Sequence, residues 1–594
     1  MKFDFNSMER AFRILSVFSL TPALSRWERE ERGAHAPHVW ILAPRRNLCL
    51  ALALVVFVPM VVSQEGVLPP LKDLGIVDAV PAEVVLKGIE FDGNTVFSDA
   101  ELLELVSNRV GKKVSIEELE AVRKTISKHY IDHRYVNSGA VIEDQDLAGG
   151  VLKIRVVEGW LDVVNVMNKE GWLRTGYLRK RIHREVGKPL NLDDLKLALE
   201  LIRRDDKIRK INTALVPGDE LGRSHLDMIV TEKKVFDVGV GISNRRPPSV
   251  GAEEAEVFFG TKNLTSLGDT LRANYTFTQE GMREVDFGDA GNYSVFYSLP
   301  LTRWDTTLEL GLTQSDYAIL EEPFDALDIQ SDTRMYTVAL RQPIYRDFQH
   351  EFSVTLKGEH RRSEVLVSGE RFSISPGSVD GQTRITALRI SPEYVYRSQE
   401  RVIAARTTFS FGLDELDPIM TTDFDRKYFT WMTQASWVES VSKNDTLLIV
   451  KLLHQYTDQS VVSMEQFSLG GMNTIRGYRE NQLIRDNAVV LSPELRIPVY
   501  KDRYGKALVY LIPFFDYGTA WNTDGPKNRE TIYSAGLGVT YNPTDYINMA
   551  VYWGHAFKDF NIPNDDDLQD YGIHFQLRIG TDFWDPTHYI GPLK

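Results

Sequence analysis

The chain reads as α+β followed by all-β: two small α+β modules in tandem, then a transmembrane β-barrel of about 16 antiparallel strands. Three observations carry that reading. Helical periodicity occurs twice in similar order between residues 83 and 235, and nowhere after them. From about residue 236 the chain becomes a long succession of strictly alternating segments. A secretory leader stands ahead of both parts.

The leader is PRRNLCLALALVVFVPMVVSQEG. Arg45 and Arg46 precede an apolar run from Leu48 to Val62, and cleavage is expected after Ser63. The run is short of the ~20 residues that span a bilayer as a helix, and it contains Pro59. The residues ahead of it, including SRWEREERGAHAPH, are too long and too acidic for a signal's basic lead and point to a start codon placed upstream of the true one. Residues 1–63 are thus an N-terminal extension with signal peptide, and the proline-punctuated residues 64–82 a linker.

In the first module, residues 83–160, VVLKGIEFDGN alternates into a turn. Ser98 with Glu101, and Ser115 with Glu118, stand at capping-box spacing before two helices. Leu119, Val122, Ile126 and Tyr130 share one face of the second helix. AVIEDQ and VLKIRVVEG follow as strands, the second with Leu152, Ile154 and Val156 on one side. The second module, 161–235, repeats the order: LDVVNVM, helices at GYLRKRIHREV and NLDDLKLALELIRR, then INTALV and SHLDMIVTEK. Leu192, Leu195, Leu199 and Ile202 form its apolar stripe.

Residues 236–580 alternate. Leu271, Ala273, Tyr275 and Phe277 lie on one side of DTLRANYTFT. Leu308, Leu310 and Leu312 do so in TTLELGLTQ, Phe352, Val354 and Leu356 in EFSVTLKGE, and Ile573, Phe575, Leu577 and Ile579 in GIHFQLRIG. About 345 residues at roughly 20-residue spacing give the strand number, with greasy faces toward lipid and polar faces toward a lumen. Tyr293, Phe296, Tyr297, Tyr428, Phe429 and Trp431 are candidates for an interfacial aromatic girdle. Residues 581–594 form a C-terminal tail.

Composition narrows the function. With 69 basic against 83 acidic residues and a formal charge of -14, nucleic acid is excluded as a general partner. The one cysteine, Cys49, falls in the leader, so the mature chain offers no thiol chemistry and no disulfide. HExxH and GxSxG are missing, the 12 histidines show no metal-ligand spacing, and GVGISN is too weak for a phosphate loop, so no enzyme, metal or cofactor is expected. The acidic run Asp565 to Asp567 reads as a solvated loop, with calcium binding as an outside alternative.

FDGNTVFS, YIDHRYVNSGAVIEDQDLAGGVLKIRVVEG and GKPLNLDDLKLALELIRRDDKIRKINTALVPG resemble the two POTRA domains of two-partner secretion transporters, the ShlB/FhaC family of the outer-membrane assembly-factor superfamily. QFSLGGMNTIRGYREN resembles that superfamily's sixth-loop motif, whose RGY tip folds back into the barrel. FFDYGTAW matches its F-x-D strand pattern.

The resemblance implies a latch of Arg476, Gly477, Tyr478, Phe514 and Asp516. The guanidinium would grip the carboxylate, Gly470, Gly471 and Gly477 would turn the backbone, and Tyr478 and Phe514 would pack around the charges. It implies an outer-membrane pore of a Gram-negative bacterium, its POTRA domains in the periplasm, that translocates a secreted partner without nucleotide hydrolysis, with or without activating it. The partner would be a large exoprotein, haemolysin- or adhesin-like and β-helical, received in extended form. Outer-membrane lipid and the barrel-assembly machinery complete the expected partners. Alternatives are a factor inserting other barrels and a passive porin.

Three departures stand out. Arg134-Tyr135 replaces the family's Gly-Tyr, which puts an altered turn there. Residues 64–82 barely suffice for a plug helix. A tail follows DYGIHFQLRI, the pattern of a terminal assembly signal.

Overall fold

The computed structural model describes residues 83–168, 171–233, 235–278, 292–321, 325–442, 444–524, 529–560 and 567–581. The leader, the linker with any plug helix, the tail beyond 581, and Asp565 and Asp566 of the acidic run lie outside the described residues.

The first module comprises β1 (Val84–Val85), β2 (Gly88–Asp92), α1 (Asp99–Val106), β3 (Lys113–Val114), α2 (Ile116–Asp132), β4 (Gly139–Val141) and β5 (Val151–Val157). Helix α1 starts where Ser98 accepts the Glu101 amide, and α2 where Glu118 reaches back to the Ser115 amide at 3.0 Å, so each start satisfies donors that the helix cannot. The sheet order is β2-β5-β4, with β2 parallel and β4 antiparallel to β5. Leu119, Val122, Ile126 and Tyr130 of α2 are buried with Leu152, Ile154 and Val156 of β5 in one core.

The second module repeats that topology. Its elements are β6 (Trp160–Asn168), α3 (Thr175–Glu185), α4 (Leu192–Arg203), β7 (Ile208–Pro217) and β8 (Arg223–Glu232). The order is β6-β8-β7, again with a parallel and an antiparallel pair about the central strand. The modules abut without a spacer: Asn137 donates to Ser224 at 3.1 Å, and the Leu192 amide donates to the Arg134 carbonyl at 2.9 Å.

Arg134 sits at φ 75°, the left-handed conformation that glycine takes without steric cost. The turn after α2 is therefore a glycine-type turn carrying an arginine, not one rebuilt around it. Arg134→Gly is expected to stabilise the first module by about 1 kcal/mol, because the exposed Arg134–Asp193 pair at 3.8 Å contributes little in return. Slower limited proteolysis around residues 130–140 of the full chain would report it.

Beyond residue 235 the chain closes on itself. The barrel strands are β9 (Phe236–Ser243), β10 (Glu254–Lys262), β11 (Thr270–Thr278), β12 (Asn292–Pro300), β13 (Thr307–Ala318), β14 (Ile329–Arg346) and β15 (His350–Val367). After a two-residue strand β16 (Glu370–Arg371) come β17 (Gln382–Arg397), β18 (Arg401–Leu413), β19 (Phe429–Ser440) and β20 (Leu447–Tyr456). The short hairpin β21 (Phe467–Leu469) and β22 (Leu483–Arg485) is followed by β23 (Asn487–Lys501), β24 (Ala507–Trp521), β25 (Glu530–Thr544), β26 (Ile547–Ala556) and β27 (Ile573–Gly580). Setting aside β16 and the hairpin, sixteen antiparallel strands form the wall, and β27 pairs with β9 to shut it.

The alternation read from sequence maps onto the two faces. Leu310, Leu356 and Ile579 are 40%, 45% and 44% exposed on the outside, an apolar belt that only lipid can cover. Two aromatics differ from expectation. Tyr428 is buried against Ala387 and Val461, and Phe296 stands in register with Gly311, Thr337 and Glu359, the lumen-facing set. Both point inward because register, not proximity to a strand end, decides the face.

The second module is tied to the barrel base. Asp305, in the turn between β12 and β13, accepts from Arg184 of α3 at 2.7 Å, from Arg346 of β14 at 2.9 Å and from Arg181 of α3. Tyr177 of α3 lies so close to Gly268 that a Cβ there would come within 2.3 Å of its ring. The end of the barrel holding 268, 305 and 346 is thus the module end, and the connection 457–486 leaves from the far end.

Candidate functional site

Residues 457–486 join β20 to β23 and, instead of standing clear of the wall, fold back into the lumen. Phe467, Leu469, Ile475, Tyr478 and Leu483 of this loop pack on Ala488, Val490, Ala520 and Ile532 of the wall. Small wall residues make the bed: a Cβ at Gly518 would lie 2.8 Å from Leu469.

At the tip, Arg476 meets Asp516 on the inner face of β24. Its backbone amide and Nε donate to Oδ2 at 2.9 and 2.8 Å, and Nη2 donates to Oδ1 at 2.8 Å. The fourth donor, Nη1, goes to Glu494 Oε2 at 2.7 Å, while Arg496 holds the other Glu494 oxygen at 2.9 Å. The Phe514 ring lies 3.7 Å beneath the guanidinium carbon and the Tyr552 ring 5.2 Å from it. Arg476 is 5% exposed and Asp516 not at all. A buried ion pair is stable only when its leftover donors and acceptors are satisfied, and this two-carboxylate, two-aromatic setting supplies that.

Gly477 is required by its conformation and its neighbours together. Its φ is 93°, and a Cβ would stand 2.8 Å from the Gly554 backbone. Gly554 and Gly572 return the favour, since a Cβ on the first would lie 2.8 Å from the Gly477 nitrogen and one on the second 2.0 Å from the Gly554 carbonyl oxygen. The Gly477 amide donates to His574 Nε2 at 3.3 Å.

The structure therefore brings Arg476, Gly477, Phe514 and Asp516 together as the sequence pattern implies. Tyr478 is different. Its hydroxyl donates to the Tyr533 carbonyl at 3.1 Å and accepts the Lys558 amide at 3.1 Å, with the ring edge-on to Phe560. It anchors the loop flank, not the charges, and Tyr552 takes the place expected of it because successive loop residues diverge at the Gly477 turn.

Two further clamps carry no sequence motif. Arg479 forks onto Asp570, with Nη2 to Oδ2 at 2.7 Å, and gives Nη1 to Glu321 at 2.6 Å. On another wall, Glu465 accepts from Arg389 Nη2 at 2.6 Å, and Arg389 shares that nitrogen with Glu359 at 2.9 Å. Arg361 bridges Glu359 at 2.6 Å and donates to the Met464 carbonyl at 2.6 Å. These positions were readable as charges of opposite sign at lumen parity on β15 and β17, but not as loop partners. Arg389→Ala would leave Glu465 with Arg361, 3.4 Å away, and Glu359 with Arg361 and Lys357. Loop cysteines introduced near 465 are expected to react about tenfold faster with a water-soluble maleimide in that variant, the counterpart of losing one charge-assisted bond.

Among the described residues no group of three or more His, Cys, Asp or Glu could hold a metal ion, and no helix is long and apolar enough to cross a membrane. The chemistry available at the site is reversible ion pairing in a polar bore.

Comparison with known proteins gives consistent matches. The profile for the haemolysin secretion/activation protein ShlB/FhaC/HecB matches residues 222–541, and that of the ShlB-type POTRA domain residues 84–159. The outer membrane transporter CdiB of Escherichia coli is 24% identical over 472 residues, which are 77% of this chain and 76% of its own. The heme/hemopexin transporter protein HuxB of Haemophilus influenzae is 21% identical over 512 residues, 82% of this chain and 84% of its own. The structure of CdiB from Escherichia coli aligns with a TM-score of 0.64 at 20% identity, covering 85% of this chain and 92% of that one, a likeness of fold.

Proposed function

Because the chain belongs to the ShlB/FhaC/HecB family of haemolysin secretion/activation proteins, outer-membrane transporters that pass a secreted partner from periplasm to cell surface, we propose that loop 457–486 is the gate of its pore. The observation that carries this reading is the hold of Arg476 on Asp516 and Glu494 of the inner wall of the bore. A loop seated there occupies the path of a polypeptide, and export in this reading needs the loop both to leave and to reseat. It is attached by polar contacts and a small apolar bed, which water and a passing chain can replace, so the attachment is reversible.

Residues 161–235 act in this reading as a second POTRA domain beside the first. β2 and β6 are edge strands of their sheets, and an extended client can add to such an edge through main-chain hydrogen bonds while neighbouring grooves take alternate side chains. The client is a large haemolysin- or adhesin-like exoprotein of β-helical type. Its folding outside supplies the bias, since one folded domain is worth about 5–15 kcal/mol. The barrel itself reaches the membrane through the barrel-assembly machinery, with β27 as its terminal signal.

A reversible tether tests the gate. Ser492 of β23 donates to the Thr474 carbonyl at 3.1 Å, and the expected mature chain has no native thiol, so Ser492→Cys with Thr474→Cys would join loop to wall. Export is expected to stop under oxidation and return with reductant. Undiminished export by the oxidised, fully cross-linked protein would refute gating.

A further inference from the structure

Three arginines stand side by side on the outside of the barrel. Arg334 of β14 is in register with Arg362 of β15, which is in register with Arg384 of β17. Their outward direction is settled by alternation: the adjacent Arg361 joins Glu359 in the lumen, and two residues along from the row Tyr336, His360 and Thr386 pair across the same strands. Below these come Val338, Gly358 and Leu388, then Leu340, Leu356 and Ile390, the lipid-facing belt.

Height follows from strand geometry. On β14 the outward belt runs from Tyr336 to Ile344, which at ~3.3 Å per residue and ~40° tilt spans roughly 20 Å, close to the height of a barrel's apolar band. The arginines lie one pleat farther, about 5 Å beyond the belt and therefore at headgroup depth. The other end of β14 carries Arg346, bound to Asp305 at the module end, so the row lies in the leaflet facing the cell exterior.

Like charges directly opposite one another on neighbouring strands repel, so such a row needs a reason. Partial compensation is present: Asp332 accepts from Arg334 at 3.0 Å, Glu364 from Arg362 at 3.1 Å and Asp417 from Arg384 at 2.7 Å. Each of these bonds uses one nitrogen of its guanidinium. A fork has five N–H donors, which leaves the larger part of each for another acceptor. The side chains of Arg334 and Arg362 are 47% and 43% exposed, and with Asp332 and Glu364 they line a depression on the outer wall. Near the same end of β24 and β25 the outward residues are instead Tyr517 and Tyr533, ordinary girdle aromatics.

We propose that this arginine row binds the phosphorylated sugar headgroup of a lipopolysaccharide in the outer leaflet. Its phosphate groups present the planar oxygen pairs that guanidinium forks match, at the depth where the forks stand. Acyl chains of the same molecule would cover Val338, Leu340, Leu356 and Ile390. The occupied strands are those that carry Arg361, Glu359 and Arg389 on their inner face, so a bound headgroup would brace the wall to which Glu465 of the loop is attached.

The test uses the full-length barrel in detergent, with bisphosphorylated lipid A, the same lipid A after phosphatase treatment, and inorganic phosphate as separate additions. Bisphosphorylated lipid A is expected to raise the unfolding temperature of the wild type, and the other two to leave it unchanged. The triple variant R334A/R362A/R384A is expected to co-purify with at least about tenfold less lipid A, whereas R401A, an outward arginine at the module end, retains it. Equal stabilisation by dephosphorylated lipid A overturns the proposal on the wild type alone, without relying on any variant to fold. Stabilisation by inorganic phosphate to the same extent, or full retention of lipid A by the triple variant, overturns it as well.

Discussion

Asp516→Ala is expected to reduce export of the partner protein by at least about tenfold while leaving an inserted, heat-modifiable barrel. The substitution removes three of the four hydrogen bonds that Arg476 donates and leaves it with Glu494, a carboxylate already shared with Arg496. Removing one member of a buried pair costs about 3–5 kcal/mol, because the other charge stays desolvated. That penalty falls on the seated loop and not on the barrel, whose sheet is closed by backbone bonds around its full circumference. Arg476→Ala should lose export similarly, but it strands Asp516 in place of a guanidinium. Quantitative immunoblotting of medium against membrane fractions measures both, and normal secretion by the two variants would remove the ion pair from the mechanism.

Gly477→Val should have the larger effect, with export falling to background. A β-branched residue at φ 93° is strained, and its Cβ would stand 2.8 Å from the Gly554 backbone, with Gly572 closing the other side. Strain of about 1–3 kcal/mol and overpacking of a similar amount act together, and neither can relax by rotating a side chain because the contacts are backbone. The tip cannot seat, so Arg476 loses both its partners at once. Planar-bilayer recordings are expected to show a raised standing conductance, and loop residues near 474 should become open to protease from outside. A wild-type conductance and protease pattern would show that the loop seats regardless.

How much of this was legible in the sequence varies with the kind of order involved. Strand faces were, because period-two alternation is a local property that lipid and water enforce from either side. Leu310, Leu356 and Ile579 face outward as their spacing requires. The pairing of Arg476 with Asp516 was reachable only through motif resemblance, since no local rule links residues 40 positions apart. Glu494 was half legible: it sits at lumen parity between outward Leu491 and Leu495, but nothing in LSPELRIPV says that a loop arginine arrives there. The clamps of Arg479 on Asp570 and of Glu465 on Arg389 were not legible, because they depend on how far a loop reaches across a closed cylinder. Tyr478 was misread for the same reason. The turn at Gly477 sends neighbouring side chains to different strands, Arg476 to β23 and β24 and Tyr478 to β25, and that divergence exists only in three dimensions.

The direct junction of the two modules also has a bearing on how a client is received. With Asn137 and Arg134 bonded straight into the second module, and Asp305 joining that module to the barrel base, direct bonds cross both junctions of the arm among the described residues. While those bonds are kept, the distance from the outermost edge strand to the mouth is set, and the arm behaves as a ruler. A client must present its docking stretch and its leading end at a matching separation, so insertions between those two stretches would be read as errors of length before any contact inside the channel is made.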